Sequence, residues 1–373
     1  MFRLSNLIKS TLQEQKSRSL DGSIIIWNMT NRCNLLCHHC YSKASANEKE
    51  SLSLEDILKT IPKLKIANIN FVIFSGGEPL LRKDIFEIAQ CMKDNKIMTY
   101  LSTNGTYINE KNAQKIIDTF NYIGISIDGI GEVHDYFRGQ KGSYDKSIEA
   151  IKTIQKKGGN AGIRFTITKE TESSFYDIFT LAEELNVNKI YISHLVYSGR
   201  GKENLEIDIS KEKRKEYVSF MINKAFEYYE NGKDIDIVTG NMEMDAIMLL
   251  KEFEKKYPDF VNSLKNRLKS WGGNSAGKRL GNMDWNGFVK PDPFFPMTIG
   301  NYLEKDFDKI WLDDNNELLK KLREFPRNIK GKCSSCKYID ICNGGSRSRA
   351  YAISGDLWDE DPSCYLTLEE IKG

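Results

Sequence analysis

The chain has almost no excess of one charge: its 373 residues carry 54 Lys and Arg against 52 Asp and Glu. That balance gives no electrostatic pull toward nucleic acid or an anionic membrane surface. Long apolar runs are missing too. No stretch approaches the ~18 residues of a membrane span, and the opening "MFRLSNLIKSTLQEQKS" has no unbroken apolar core or small-residue cleavage site. No repeat or low-complexity segment occurs. These absences predict a cytoplasmic protein with no nucleic-acid and no membrane partner.

What is present is an ordinary globular composition, 40% apolar and 28% charged, in a chain long enough for one large α/β barrel or for a core with an appendage. Eight cysteines in a reducing compartment are ligands or buried thiols rather than disulfides. Seven of them fall in two groups: Cys33, Cys37 and Cys40 near the start, and Cys333, Cys336, Cys342 and Cys364 near the end. Cys91, alone on the flank of an expected helix, reads as a buried thiol.

Between the groups, β-branched runs alternate with helical patterns. The runs are "SIIIWN" (23–28), "INFVIFSG" (69–76), "IMTYLSTNG" (97–105), "YIGISIDG" (122–129), "GIRFTIT" (162–168) and "KIYISHLV" (189–196). Ile85, Ile88, Ala89 and Met92 recur at helical spacing, and Ser53 with Asp56 three residues on reads as a helix cap. Such alternation predicts a parallel sheet covered by helices, open or rolled into a partial barrel. Its active-site loops then follow the strand ends, here "NMTNRC", "SGGEPL", "STNGT", "SIDGIGE" and "SHLVYSGRG", all glycine-bearing or polar. After residue 205 the pattern turns helical and Lys/Glu-rich (211–231, 243–270 and later 306–323), and "GNMDWNGFVKP" reads as a hairpin with an Asn-Gly turn.

Thiolates suit iron–sulfur clusters or zinc. Structural zinc takes four ligands, and three-ligand catalytic zinc sites commonly include His or a carboxylate. The CxxxCxxC of Cys33, Cys37 and Cys40 matches neither. On a four-iron cluster three cysteines leave one iron open to a small molecule. The C-terminal group, CxxC followed by Cys342 and Cys364, supplies four thiolates and leaves no open position, which fits a cluster or zinc.

A CxxxCxxC after the first strand of a (β/α) pattern, followed in order by "SGGEP", "STNG" and "SIDG", resembles the radical S-adenosylmethionine (SAM) superfamily. The resemblance implies a partial (β/α)6 TIM-type barrel, with Cys33, Cys37 and Cys40 on a [4Fe-4S] cluster whose open iron is chelated by SAM. It implies cleavage of SAM to a 5′-deoxyadenosyl radical that takes hydrogen from the substrate. It places Gly76, Gly77 and Glu78 at the methionine amino group, Ser102, Asn104, Ser126 and Asp128 at ribose and carboxylate, and His39 where the family usually has an aromatic ring. Arg164 is a further candidate for the SAM carboxylate.

Behind such a core the second cysteine group resembles the SPASM extension, which implies one auxiliary [4Fe-4S] cluster on Cys333, Cys336, Cys342 and Cys364; Asp292 stands near the place of a further cysteine in two-cluster relatives. The expected organisation is an N-terminal extension (1–22), the core (23–205), a helical connection (206–270) and the auxiliary domain (271–373). "YISHLVYSGRG", "GGNSAG" with "GFVKPDPF", and "CNGGSRSRAYAISGDLWDEDPSCYLT" resemble the tetrapyrrole branch of the SPASM proteins. That implies removal of acetate side chains from 12,18-didecarboxysiroheme to give Fe-coproporphyrin III, in heme biosynthesis. Alternatives are propionate removal in heme d1 synthesis, oxidative decarboxylation, or peptide modification as a SPASM maturase. Ser346, where heme d1 and oxidative relatives often carry cysteine, favours the first. A polycarboxylate substrate wants guanidinium groups, and Arg200, Arg347 and Arg349 are the candidates. His194 and Tyr197, at the end of the sixth expected strand, are candidates for an axial iron ligand or proton transfer. The electron donor would be a ferredoxin or flavodoxin.

Overall fold

The computed structural model describes residues 1–15, 22–49 and 51–372. Its strands are β1 (Phe2–Arg3), β2 (Ser23–Thr30), β3 (Ile69–Gly76), β4 (Met98–Thr103), β5 (Tyr122–Ser126), β6 (Ala161–Ile167), β7 (Lys189–His194), β8 (Asp236–Gly240), β9 (Leu280–Met283), β10 (Phe288–Lys290) and β11 (Gly300–Asn301). They form one sheet in the order β1-β8-β7-β6-β5-β4-β3-β2-β9-β10-β11. From β2 to β8 every pair is parallel, and helices fill the connections, so the apolar runs are covered on their outer face. The sheet ends on different strands, an open barrel.

All six expected strands form. Residues 206–270 are not a purely helical connection: after the helix Lys211–Glu230 the chain returns as β8, parallel to β7. A five-residue strand between charged helices carries little pattern, but without it the edge of β7 would be left unpaired. The N-terminal extension is part of the same body. Phe2 and Arg3 pair antiparallel with Thr239 and Val238, and the helix Leu4–Leu12 follows; residues 16–21 of that stretch lie outside the described residues. The hairpin of β9 and β10 turns at Asn286-Gly287, with Gly287 at φ 84°, and β9 pairs parallel with β2, so the C-terminal part continues the barrel sheet.

Local signals explain the helices near the site. Ser53 accepts the Asp56 N–H and caps Leu54–Ile66, an interaction worth about 1 kcal/mol. In Ile85–Asp94 the buried residues are Ile85, Ile88, Ala89 and Met92, the stripe the spacing predicts; Cys91 is half-exposed instead of buried.

Strand alternation sorts the sheet into two faces. Ile25, Trp27, Val72, Phe74, Leu101, Ile163, Phe165, Ile190 and Ile192 join the helices in one core. Between them Ser75, Ser102, Ser126, Arg164, Thr166 and Ser193 stay half-buried on the inner face. Among the described residues no helix is long and apolar enough to cross a membrane.

Candidate active site

The cysteine loop leaves β2 as irregular backbone, so its shape is held from outside. Cys33 N–H bonds Ser45 O at 3.0 Å, Leu36 N–H bonds Arg138 O at 3.2 Å, and His38 N–H bonds Phe137 O at 3.0 Å. Arg200 Nε donates to Cys37 O at 2.7 Å, and both its terminal nitrogens lie 3.3 Å from Ala44 O. Cys33 and Cys37 are buried and Cys40 half-buried. Each sulfur has a polar neighbour: Leu35 N–H donates to Cys33 Sγ at 3.5 Å, Arg138 Nη1 donates to Cys37 Sγ at 3.6 Å, and the Ser42 hydroxyl, which donates to Gly76 O, lies 3.3 Å from Cys40 Sγ. Burial pushes the Cys33 thiol up to about 12, so thiolate there needs a bound cation. Three neighbouring thiols, two of them with donors aimed at the sulfur, fit an iron–sulfur cluster, whose properties depend on such bonds.

The glycine motif packs directly on this loop. Gly77 N–H bonds Thr30 O and Glu78 N–H bonds Arg32 O, both at 2.8 Å. An added Cβ on Gly76 or Gly77 would run into the Thr30 or Arg32 carbonyl, and Gly76 sits at φ 116°, so only glycine allows the approach. Glu78 is fully buried and faces protein: it accepts Leu80 N–H at 3.1 Å, the Thr103 hydroxyl at 2.7 Å and Asn104 N–H at 2.8 Å. Burial raises its carboxyl while those bonds oppose the rise. Asn104 in turn donates to Asn34 Oδ1 at 3.0 Å in the cysteine loop. These two residues splice three loops together. Ser102 and Ser126 are half-exposed on the inner face. Arg164 lies beside them, its guanidinium stacked 4.5 Å from the Tyr191 ring.

Asp128 does not face open space. It is fully buried, accepts Thr166 N–H at 2.6 Å and pairs with Arg138. His39 Nε2 lies 3.9 Å from it. The His39 ring stacks flat on Phe137 at 4.6 Å, and burial lowers its pKa to about 4. The imidazole is therefore a neutral plate. Arg138, two residues after Tyr136 in "DYFRG", was not singled out by the sequence; its nearness to the "SIDG" loop was the available signal.

The substrate candidates are mostly spoken for. His194 shares the outward parity of Ile190 and Ile192, is fully buried, and sits with Nδ1 at 3.1 Å from Arg214 and Nε2 at 3.3 Å from Asp245. An outward-facing side chain cannot ligate iron over the barrel. Tyr197 is half-buried, donates to Asp208 at 2.6 Å and meets Ser363 Oγ at 3.1 Å. Burial pushes its hydroxyl up to about 12, so it carries its proton at neutral pH. Arg200 serves the cysteine loop. Arg347 is fully buried and donates to the Leu357 carbonyl at 2.8 Å as well as to Gly344 O. Arg349, also fully buried, grips both oxygens of Asp361 at 3.0 and 2.8 Å and reaches Leu195 O at 3.2 Å. Neither guanidinium is free for a substrate carboxylate.

Cys333, Cys336, Cys342 and Cys364 are all buried and line one cavity with Met244, Lys332 and Asp361. Lys332 Nζ holds the loop by donating to Cys364 O at 3.0 Å and Leu366 O at 3.1 Å. Ser346 caps the helix Arg347–Ser354 by accepting Arg349 N–H. Among the described residues no group of three or more His, Cys, Asp or Glu side chains closes on a single metal ion; the four thiols surround a space instead.

A family model described as the Radical SAM superfamily matches residues 27–182. The chain is 36% identical to a pre-heme d1 synthase of Dinoroseobacter shibae, across 99% of this chain and 93% of that one. It is 37% identical to an Fe-coproporphyrin III synthase of Methanosarcina barkeri, across 93% and 89%. Among solved structures, Streptococcus suis SuiB bound to its precursor peptide SuiA shares the fold at a TM-score of 0.72 and 17% identity, covering 92% of this chain and 76% of that one. anSMEcpe with bound AdoMet and a peptide shares it at 0.70 and 20%, covering 92% and 93%.

Proposed function

The chain belongs to the radical SAM superfamily, and from that premise we propose that it removes the two ring acetates of 12,18-didecarboxysiroheme to give Fe-coproporphyrin III. The protein uses SAM, a three-cysteine [4Fe-4S] cluster and an auxiliary cluster in its SPASM-type domain. The observation that carries the substrate is the 37% identity to Fe-coproporphyrin III synthase over nearly the whole chain. Ser346, spent as a helix cap, agrees with a single auxiliary cluster.

In this reading Cys33, Cys37 and Cys40 hold the first cluster, and Cys333, Cys336, Cys342 and Cys364 the second. The backbone of Gly76 to Glu78 receives the SAM amino group, Ser102 and Ser126 offer hydroxyls to the ribose, and Arg164 meets the carboxylate. Bound there, SAM and the reduced cluster supply the hydrogen-abstracting chemistry. Asn104, Asp128, Glu78 and His39 shape the pocket: they fix the loops and keep its walls flat and dry. Tyr197, protonated and tied to Asp208 and Ser363, stands where the barrel meets the auxiliary segment and is the candidate proton donor to substrate. A ferredoxin or flavodoxin supplies the electron, in the cytoplasm.

The match to pre-heme d1 synthase supports a second reading, propionate removal. Mass spectrometry of the tetrapyrrole after anaerobic incubation with SAM and dithionite separates them. Two acetate-sized losses support deacetylation, propionate-sized losses favour the second reading, and an unchanged tetrapyrrole with ongoing SAM cleavage rejects both.

A further inference from the structure

The "SIDG" aspartate and an arginine ten residues later form a buried ion pair against the cluster loop. Arg138 ends the helix Glu132–Arg138, followed by Gly139 in the left-handed region at φ 69°. That turn lets the helix end lie against Leu36, whose carbonyl an added Cβ on Gly139 would approach to 3.0 Å. Arg138 and Phe137 carbonyls take the Leu36 and His38 N–H groups, so the guanidinium is delivered to the loop by backbone bonds that any side chain would keep. Arg138 is 8% exposed and Asp128 fully buried. One end of the guanidinium donates to Cys37 Sγ at 3.6 Å and the other pairs with Asp128. Its Nε is buried with no acceptor among the described residues.

A fixed positive charge this close to a ligand sulfur, away from water, stabilises whichever state of the cluster carries more negative charge. That is the reduced state, and hydrogen bonds to the sulfurs act in the same sense. Asp128 opposes it. His39 and His134 also face Asp128, His39 with Nε2 at 3.9 Å from its carboxylate and His134 with Nδ1 accepting the Asp128 N–H at 3.0 Å.

We propose that the Arg138–Asp128 pair sets the reduction potential of the SAM-binding cluster: Arg138 raises it through Cys37 and Asp128 moderates the rise. The proposal rests on the reading of Cys33, Cys37 and Cys40 as the SAM cluster. Asp128 thereby becomes a positioning residue for Arg138 instead of a SAM contact.

The test is an anaerobic redox titration of the full-length protein followed by electron paramagnetic resonance, using the signal that changes on adding SAM to separate this cluster from the auxiliary one. A wild-type spectrum indifferent to SAM would sink the cluster reading itself, before the variants are considered. With that control passed, Arg138→Gln shifts the midpoint to lower potential, Arg138→Lys lies nearer wild type, and Asp128→Asn shifts it to higher potential. Opposite signs are what a purely structural role cannot produce. Midpoints that stay put at full iron content, or move the same way in Arg138→Gln and Asp128→Asn, overturn the proposal. So does loss of this cluster from both variants, which would make the pair a strut. If Arg138→Gln alone loses the cluster, the direction in Asp128→Asn decides.

Discussion

Replacing Arg349 by Met tests whether this buried guanidinium binds substrate or holds the auxiliary domain together. Arg349 and Asp361 are 0% and 1% exposed. Asp361 Oδ1 accepts Arg349 Nε and Ser363 N–H, both at 3.0 Å, and Oδ2 accepts Arg349 Nη2 and Ser346 N–H, both at 2.8 Å. The remaining nitrogen reaches Leu195 O, just beyond β7, so the same side chain ties the barrel to the segment carrying Cys364. Methionine fills a similar length but leaves Asp361 charged and unpaired in the interior. Removing one partner of a buried pair costs about 3–5 kcal/mol. At the ~2 °C per kcal/mol that large domains show, the thermal midpoint falls by roughly 6–10 °C. Auxiliary iron falls with it, while KM for the tetrapyrrole in the surviving enzyme stays near wild type. Adding Asp361→Asn, which removes the stranded charge and keeps one acceptor, recovers part of the loss. The reverse pattern, an unchanged midpoint and iron content with KM raised tenfold or more, would make Arg349 a substrate ligand and not a structural tie.

Arg200→Ala removes the charged donors to Cys37 O and Ala44 O, each worth about 1.5–3 kcal/mol. About half the bound iron should be lost, that of the SAM cluster, with the auxiliary cluster retained; full retention of both contradicts this. Glu78→Gln takes one acceptor from Thr103 or Asn104, a cost of about 1–3 kcal/mol; calorimetry should show SAM binding weakened roughly tenfold, and an unchanged affinity counts against the loop-splicing role. His194→Gln leaves the optical spectrum of the bound iron tetrapyrrole unaltered, whereas an axial ligand would shift it. Asp292, 5% exposed, has its carboxyl pushed up to about 6 by burial, above the ~3.9 of an unfolded chain. Folding therefore takes up a proton between pH 4 and 6, and stability falls as pH rises through that window, by up to about 3 kcal/mol. Asp292→Asn should flatten that slope and raise the melting temperature at pH 7.5; a lower one contradicts it.

The barrel and its cysteines were legible because their signals are local. A β-branched run makes a strand, Asn-Gly makes the hairpin of β9 and β10, and three clustered thiols with a glycine pair announce a cluster loop. β8 was not legible, since "DIVTG" is short and lies among charged helices; its pairing with β7 is decided by the edge it covers. Side-chain partners were not legible either. Arg200, Arg347 and Arg349 looked like carboxylate binders because guanidinium suits carboxylates, yet the fold spends all three on carbonyls and on Asp361. His194 could have been placed from the sequence: in "KIYISH" it shares parity with Ile190 and Ile192, the face that packs on helices. Arg138 needed the tertiary structure, which turns the helix end onto the loop of Cys37.

In the proposed function, one SAM-dependent site in this chain acts on an iron tetrapyrrole. The direct measurement is the ratio of 5′-deoxyadenosine formed to acetate lost from 12,18-didecarboxysiroheme, under reducing, anaerobic conditions, for the wild type and Cys37→Ala. A fixed ratio in the wild type with both products absent from Cys37→Ala is the predicted result. Acetate loss that persists in Cys37→Ala, or deoxyadenosine formed at the same rate with no change in the tetrapyrrole, would contradict the account.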